Sequence, residues 1–411
     1  MGLFPKVFQP QAASSVLEKL ILEHFGGGGT ASGISVNSDS AMRLMTVHNC
    51  VKVLYNCMSQ IPCHLMQEVD GVKSKAKDHS LYRVIGKFPN GWMTRSEFWG
   101  LVEVHVSTRG NFLAFKTRAK GEIRELLPIA PDRVREIKQN RDWSLTYKIT
   151  PAEGGEPKDY SQSEIFHVRG MSLNGYSGLN PIAYARESIG LGLASEKFLS
   201  RYFGRGVHPS AVIRHPGQLN SKTYANLRAV LKEKYEGLSS DQNQGFMFLD
   251  EDMNIEFPPI KLVDAQFLEL GRFNEAQICG MFGVPLMLVQ AGDNPTTFAS
   301  ASEFKRFFID SVIASKANNY ETCVDRDCLK IEDQSRYYTK FNVNSLLRGN
   351  LTERIAAYKD GINVEMFCPD ECRAWEDLNP TPDGSGQEFR TRTSTIKESD
   401  KVKEAEKVDG K

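Results

Sequence analysis

By side-chain type, the residues best equipped for chemistry are eight cysteines and eight histidines. Cys323-x4-Cys328 and Cys368-x3-Cys372 are paired at short range, as ligands of a soft metal would be. Zinc takes about four ligands in tetrahedral array. No histidine lies close to either pair, and neither has a tight Cys-x2-Cys spacing, so the default is free thiols and no metal. Cys50, Cys57, Cys63 and Cys279 are scattered, and without a signal peptide they fit a reducing compartment better than a disulfide framework. His167, in the strand-like run Phe166-His167-Val168, suits a core or sheet-edge position better than catalysis. The glycines at 26–29 lack the Gly-Lys-Ser/Thr that completes a phosphate loop. Nor is there a Gly-x-Ser-x-Gly, a His-x-x-x-His pair, or a carboxylate cluster of nuclease character. The expectation is a chain with no catalytic residues, no cofactor and no metal.

Composition points the same way. The 51 basic residues balance 51 acidic ones. Each phosphate neutralised by a protein adds affinity and salt dependence, so this balance argues against a chain that grips nucleic acid tightly. At 411 residues, 40% of them hydrophobic, the chain is long enough for two or three domains with real cores. Its most apolar run, Met281 to Val289, is far shorter than the roughly 20 residues that cross a bilayer. Met1-Gly2 opens the chain, but Lys6 breaks the myristoylation pattern. No membrane association is expected.

Periodicity supplies the elements. Val47, Val51, Leu54 and Met58 recur at three to four residues, predicting a helix within 41–66 that Pro62 ends. Thr94-x2-Glu97 is a capping box opening a second helix. Alternation between 111 and 170 predicts short strands, among them Phe112–Phe115, Leu126–Ile129 and Ser144–Ile149. A long helix is expected over 181–206, with Pro181 in its first turn, Gly206 just beyond it, and Gly190, Gly192, Ala194 and Ser195 allowing close approach. A compact unit follows: strand Ala211–Arg214, helix Ser221–Tyr235, and strands Phe246–Leu249 and Ile255–Phe257. Asp264 starts a helix to Gly280, which breaks through Phe282-Gly283-Val284-Pro285 into a polar loop and restarts at Phe304. A strand at Lys340–Val343, a helix at Leu351–Lys359 stopped by Gly361, and a helix at Pro369–Leu378 complete the ordered part. The glycine run makes 1–40 a flexible arm, and the loss of hydrophobes after Pro380 makes 381–411 a disordered tail.

Several motifs, in order, resemble those of phage portal proteins across roughly residues 40–385. They begin with Pro89-Asn90, Met93-Thr94-x2-Glu97-Phe98 and Arg109-Gly110-Asn111. Glu164-Ile165-Phe166-His167-Val168, Gly175-x2-Gly178-Leu179-Asn180-Pro181-Ile182 and Phe203-x-Arg205-Gly206 continue the series, with Pro209-Ser210 and Pro216-Gly217-Gln218-Leu219 after them. Asp264–Glu269, Phe282-Gly283-Val284-Pro285, Phe341-Asn342-x4-Leu347-Arg348-Gly349-Asn350, Arg354-x3-Tyr358 and Gly361-Ile362 close it. Two departures stand out. Leu286 occupies a position where the family commonly has a second proline, and Ala299-Ser300-Ala301-Ser302 replaces an Asn that often follows the Thr-Phe step.

The resemblance implies an α+β portal fold assembled as a ring, a dodecamer, at one capsid vertex of the virion. Residues 41–180 and 301–348 would form a wing, 181–206 and 263–288 the helical stem, and 207–262 a small α/β clip. Residues 289–300 would be a tunnel loop projecting into the bore, and 349–380 a short helical crown. Gly292, Asp293, Asn294, Pro295, Thr296, Thr297 and Phe298 of that loop would face passing DNA. The loop carries hydroxyls, amides and one acid but no Lys or Arg, which suits phosphate contact without sequence readout. Lys197, Arg201 and Arg205, near one face at the end of the first stem helix, and Glu269 and Arg272 on the second, are candidates for contact with DNA or a partner; a solvated face is the alternative. Arg348 is expected to lock a turn through its planar fork. The implied partners are double-stranded DNA without sequence preference, a terminase large subunit, major capsid and scaffold protein, and a head–tail adaptor. Packaging and ejection of a genome would be the task, with assembly in the host cytoplasm. The rival readings are another head–tail ring component and a capsid-associated enzyme.

Overall fold

The computed structural model describes residues 30–204, 212–214, 225, 254–256, 264–289, 298–347, 351–376 and 378–389. Its elements begin with α1 (Ser38–Ala41), α2 (Met45–Gln60), β1 (Cys63–Val69), β2 (Val72–Lys75), α3 (Ser80–Gly86) and α4 (Arg95–Arg109). Strands β3 (Asn111–Ala119), β4 (Glu122–Pro128), β5 (Val134–Gln139), β6 (Leu145–Ile149), β7 (Lys158–Ser161) and β8 (Ile165–Arg169) follow. Next come α5 (Pro181–Tyr184), α6 (Arg186–Gly204), β9 (Val212–Arg214), β10 (Asn254–Glu256) and α7 (Asp264–Phe282). The last group is α8 (Phe298–Phe308), a π turn (Ile309–Ile313), α9 (Ala314–Cys328), β11 (Tyr337–Phe341), α10 (Leu351–Asn363) and α11 (Pro369–Trp375). The chain divides into two compact units.

The first unit comprises Met1–Asn56, Trp99–Thr117 and Leu126–Pro295. Helix periodicity puts Val47, Val51 and Leu54 of α2 in its core, and α4 adds Trp99, Val102 and Val106. The Tyr55 ring lies where a side chain on Gly100 would stand. β3 and β8 pair antiparallel, from Asn111↔Arg169 to Phe115↔Ile165, within the sheet β4-β3-β8. β5, β6 and β7 form an antiparallel meander with a register shift between Val134 and Glu136. Leu113, Ile129, Tyr147, Ile149 and Ile165 make one core cluster from both sheets. Burying each large side chain is worth about 1.5–3 kcal/mol.

The second unit comprises Cys57–Phe98, Arg118–Glu125 and Thr296–Lys411. Its sheet has the order β11-β1-β2, with Cys63↔Phe341 and Leu65↔Thr339 in register. β1 alternates, burying Cys63 and Leu65. Among the described residues one edge of β11 is paired with a strand, β1, and α9 lies against the strand. Phe341 N–H donates to Glu321 Oε1 at 2.7 Å, Thr339 N–H to Asp325 Oδ1 at 2.8 Å, and Lys340 Nζ to Glu321 Oε2 at 3.2 Å. Two carboxylates one helical turn apart thus satisfy alternate amides of an edge strand, which would otherwise be open to pairing with another chain. Burial raises the Asp325 carboxyl above its ordinary value.

Several expectations need correction. Residues 30–40 of the expected arm carry defined structure, because Asn37 and Ser40 form a capping box on α1 and Ala31 N–H reaches Glu187 Oε2 at 3.1 Å, while 1–29 lie outside the described residues. β1, β2 and α3 were not anticipated. The helix over 181–206 is divided at Ala185 (φ −91°, ψ 13°) into a single capped turn, α5, and the longer α6. Phe298 begins α8, so the helix after the loop starts six residues before Phe304 and Phe298 is not a loop residue. Gly361 lies inside α10, where the Phe367 ring occupies the space of a side chain. Residues 381–389 of the expected tail are held in place, because Asp370 Oδ1 accepts Thr381 N–H at 2.8 Å and Thr381 Oγ1 accepts Gly386 N–H at 2.7 Å, while 390–411 lie outside the described residues. β9 and β10 pair antiparallel from Val212↔Glu256 to Arg214↔Asn254; of the helix expected between them only Ala225, which is helical, is described, and the expected strand Phe246–Leu249 lies outside the described residues. No helix among the described residues is long and apolar enough to cross a membrane.

Glu321 is 6% exposed, and its replacement by Ala leaves two donors unpaired. Glu321→Ala should lower unfolding free energy by about 2–3 kcal/mol in urea titrations, with Glu321→Gln less harmful. Histidines give a second expectation. Burial holds His64 and His105 down to about 4, and lowers His79. The unfolded chain therefore binds protons near pH 6.5 that the folded chain refuses until about pH 4. Stability is flat above that window and falls as pH drops through it. The melting temperature should decline on acidification, and His105→Gln should make the decline shallower by a share on the order of 2 kcal/mol.

Candidate functional site

No group of three or more His, Cys, Asp or Glu among the described residues could hold a metal ion, and all eight cysteines are free. His167 is fixed in structure: Tyr147 Oη lies 3.1 Å from Nδ1 and Asn111 Oδ1 lies 2.9 Å from Nε2. Since Asn111 Oδ1 can only accept, Nε2 carries a proton. The functional geometry lies in how helices are launched and which faces they leave uncovered.

The launching point brings together two of the sequence motifs. Asn111 grips Gly178 from both sides, its Oδ1 accepting Gly178 N–H at 2.7 Å and its Nδ2 donating to Gly178 O at 3.0 Å. Gly110 sits at φ +79°, and a Cβ on it would overlap the Leu179 carbonyl; a Cβ on Gly178 would overlap the Gly110 carbonyl. Gly170 N–H bonds Gly110 O at 2.9 Å and Leu179 N–H bonds Met171 O at 2.7 Å, closing the junction. Two residues on, Asn180 Oδ1 caps Ala183 N–H at 3.2 Å and Pro181 sets the first turn of α5.

From there α6 runs back along α7. Gly192 admits Leu44 and Asn274, whose nearest atoms would stand 2.8 Å and 3.2 Å from a Cβ there. Gly190 is filled by Thr30 in the same way. The small residues expected to receive a neighbouring molecule are thus occupied, at 190 and 192, by this chain's own side chains. A Cβ on Gly271 or Gly280 would meet nothing within 4 Å among the described residues. Asn274 is buried with Oδ1 unpartnered among the described residues. Glu275 is raised by burial, opposed by Arg272 and reinforced by Glu196. On the outer side, Leu191 and Phe198 stand two helical turns apart on α6, and Leu270 and Phe273 one turn apart on α7. All four are exposed, at 39–60%.

Of the residues singled out in the sequence, Lys197, Glu269 and Arg272 are exposed on this helix pair. Arg201 is in the last turn of α6, where only the backbone is described, and Arg205, Arg348 and Gly292–Thr297 lie outside the described residues. Asn111, Gly178 and the uncovered hydrophobes Leu191, Phe198, Leu270 and Phe273 were not recognised as site residues. The first two could have been: an Asn following Gly, and a second Gly before Leu-Asn-Pro, are types that clamp backbone. The apolar four could not, since an exposed Phe and a core Phe look alike in sequence.

A family model described as phage portal protein matches residues 45–377. The chain belongs to that family. A probable portal protein of Streptomyces phage phiC31 is 27% identical over 374 residues, covering 89% of this chain and 81% of that one. In fold, the chain is similar to an HK97 family phage portal protein from Corynebacterium diphtheriae, at TM-score 0.54 and 14% identity over 75% of this chain and 96% of that one. It is also similar to a chain in the neck of a native GTA particle computed with C12 symmetry, at TM-score 0.53 and 18% identity over 91% and 96%. The portal motifs acquire physical roles here. Arg109-Gly110-Asn111 and Gly178-Leu179-Asn180-Pro181 are the two halves of the junction. Arg354 and Tyr358 converge on Glu376, through a bidentate pair at 2.9 and 3.0 Å and a hydroxyl contact at 2.7 Å. Burial, helped by the Glu376 carboxylate, raises the Tyr358 phenol. Gly361 admits Phe367, which packs edge-on against Trp375 at 4.8 Å.

Asn111→Ala should cost about 2–3 kcal/mol, because the Gly178 amide and carbonyl and His167 Nε2 all lose a partner. Gly178→Ala should cost at least as much through overlap with the Gly110 backbone. Chemical denaturation checks both; equal stability of either variant and the natural chain would remove the junction from this role.

Proposed function

We propose that this portal chain is one subunit of a ring, of twelve copies, that forms the DNA channel at one capsid vertex. The observation that carries the reading is the exposure of Leu191 and Phe198 on α6 and of Leu270 and Phe273 on α7, beside Gly271 and Gly280, where a Cβ would meet no described atom within 4 Å. A closed ring needs heterologous contacts, each subunit presenting two different faces. An apolar helical face beside glycines that admit close approach is suited to one of them. The C12 symmetry of the related neck particle supports the subunit number.

In this reading α5, α6 and α7 form the stem, 207–262 the clip, 289–297 the tunnel loop, 349–380 the crown, and 41–180 with 301–348 the wing. Lys197 and Arg272, each near an acid (Glu196, Glu269), leave the helix pair without strong net charge, which favours sliding over gripping of duplex DNA. Gly292–Thr297 contact the phosphates without reading bases. The ring docks the terminase motor during packaging and head–tail adaptors afterwards, surrounded by capsid and scaffold protein, and later releases the genome. Its role is structural rather than enzymatic. It assembles in the host cytoplasm and stays in the virion.

Negative-stain electron microscopy of the purified chain, with mass from light scattering, tests the proposal. Rings with a hole wide enough for duplex DNA are expected, and Phe198→Asp or Phe273→Asp should shift the mass toward monomer while leaving far-ultraviolet circular dichroism unchanged. A closed dimer without a hole would defeat the reading.

A further inference from the structure

We propose that Cys50 and Cys279 are a redox-closable pair, which a thiol oxidant joins in a disulfide that ties α2 to the last turns of α7. The residues are 229 positions apart, yet their sulfur atoms lie 3.7 Å apart, Cys50 Sγ donating to Cys279 Sγ. They face each other in the core at 0% and 2% exposure. A disulfide holds its sulfurs at about 2.05 Å, so closure needs an approach of about 1.7 Å.

The position gives the bond a consequence. Cys279 is at the C-terminal end of α7, where Val284 N–H returns to Cys279 O at 3.0 Å and Gly283 turns the chain at φ +68°. The residue before Cys50 holds the outgoing chain, with Asn49 Nδ2 at 3.5 Å from Val289 O. α2 therefore touches both the end of α7 and the segment that leads into 290–297. Oxidation makes the first of these contacts covalent, fixing the base from which that segment departs.

Hydrogen peroxide, small enough to enter a packed core, supplies the oxidising equivalents. One cysteine, as thiolate, attacks one oxygen and expels hydroxide, becoming a sulfenic acid; the second cysteine then displaces that oxygen as water. Two protein thiols and one peroxide become one protein disulfide and two waters. The pair belongs to the single chain, so its failure would leave the ring reading untouched.

The test oxidises the native full chain with dilute hydrogen peroxide, removes the oxidant, alkylates the remaining thiols under denaturing conditions, and maps cysteine peptides with and without reductant. The expected result is a Cys50–Cys279 cross-linked peptide that reductant releases, absent from Cys50→Ala and Cys279→Ala and kept in Cys57→Ala. Closing so long a loop should raise the melting temperature of the oxidised natural chain by roughly 5–10 °C, with no rise in either variant of the pair. Alkylation of both cysteines after oxidation, or a cross-linked chain that melts no higher than the reduced one, would overturn the proposal.

Discussion

The amide of Asn111 closing on the backbone of Gly178 is the contact from which the helical part of the first unit takes its direction. An interior of low dielectric makes such a bond worth most when every member is satisfied and most costly when one is not. Asn111 gives its oxygen to both Gly178 and His167, and His167 in turn meets Tyr147 on the neighbouring meander. Sheet, meander and helix start are therefore tied by one chain of polar groups. Gly110 and Gly178 are the steric condition for it, since any side chain at either would stand on the other segment's carbonyl. The direction of α6 follows, and with it the residues that α6 and α7 leave uncovered.

Much of this was legible in local chemistry. Thr94 and Glu97 form the capping box they spell, with Thr94 N–H on Glu97 Oε2 at 2.8 Å. Asn180-Pro181 begins a helix, and alternation between 111 and 170 yields strands in antiparallel pairs. What failed depends on partners distant in sequence. β1 is stabilised by β11, from the far end of the chain, so a stretch directly after Pro62 gave no sign of its pairing. Gly361 has the appearance of a helix stop, but its reason is the Phe367 ring lying over it. The segment after Pro380 is poor in hydrophobes, yet residues 381–389 are held in place, because a carboxylate, Asp370, supplies hydrogen bonds in place of a core.

The portal family's motifs mark two kinds of place. Some, like Gly110 and Gly178, are sites where two backbones meet too closely for a side chain. Others, like Arg354 and Tyr358, are donors gathered around one acceptor, Glu376, so that two short helices hold together without a large apolar interface. In both kinds of place the residues fix how one element meets the next.

The π turn at Ile309–Ile313 has a consequence of phase. An α-helix advances about 100° per residue, and a π turn accommodates one residue more than an α turn does. The run from Phe298 to Cys328 is continuous, and the turn takes up the additional residue locally. Phe304 and Phe307, before the turn, are exposed, while Ile309 and Ile313 within it and Ala317, Tyr320 and Val324 beyond it are buried. One rod thus carries an exposed aromatic pair ahead of the turn and a buried stripe behind it. Loss of a single residue within the turn would let it close as an ordinary α turn with both flanking helices keeping their faces, so this is the one stretch of the rod that tolerates a change of length without turning Phe304 and Phe307.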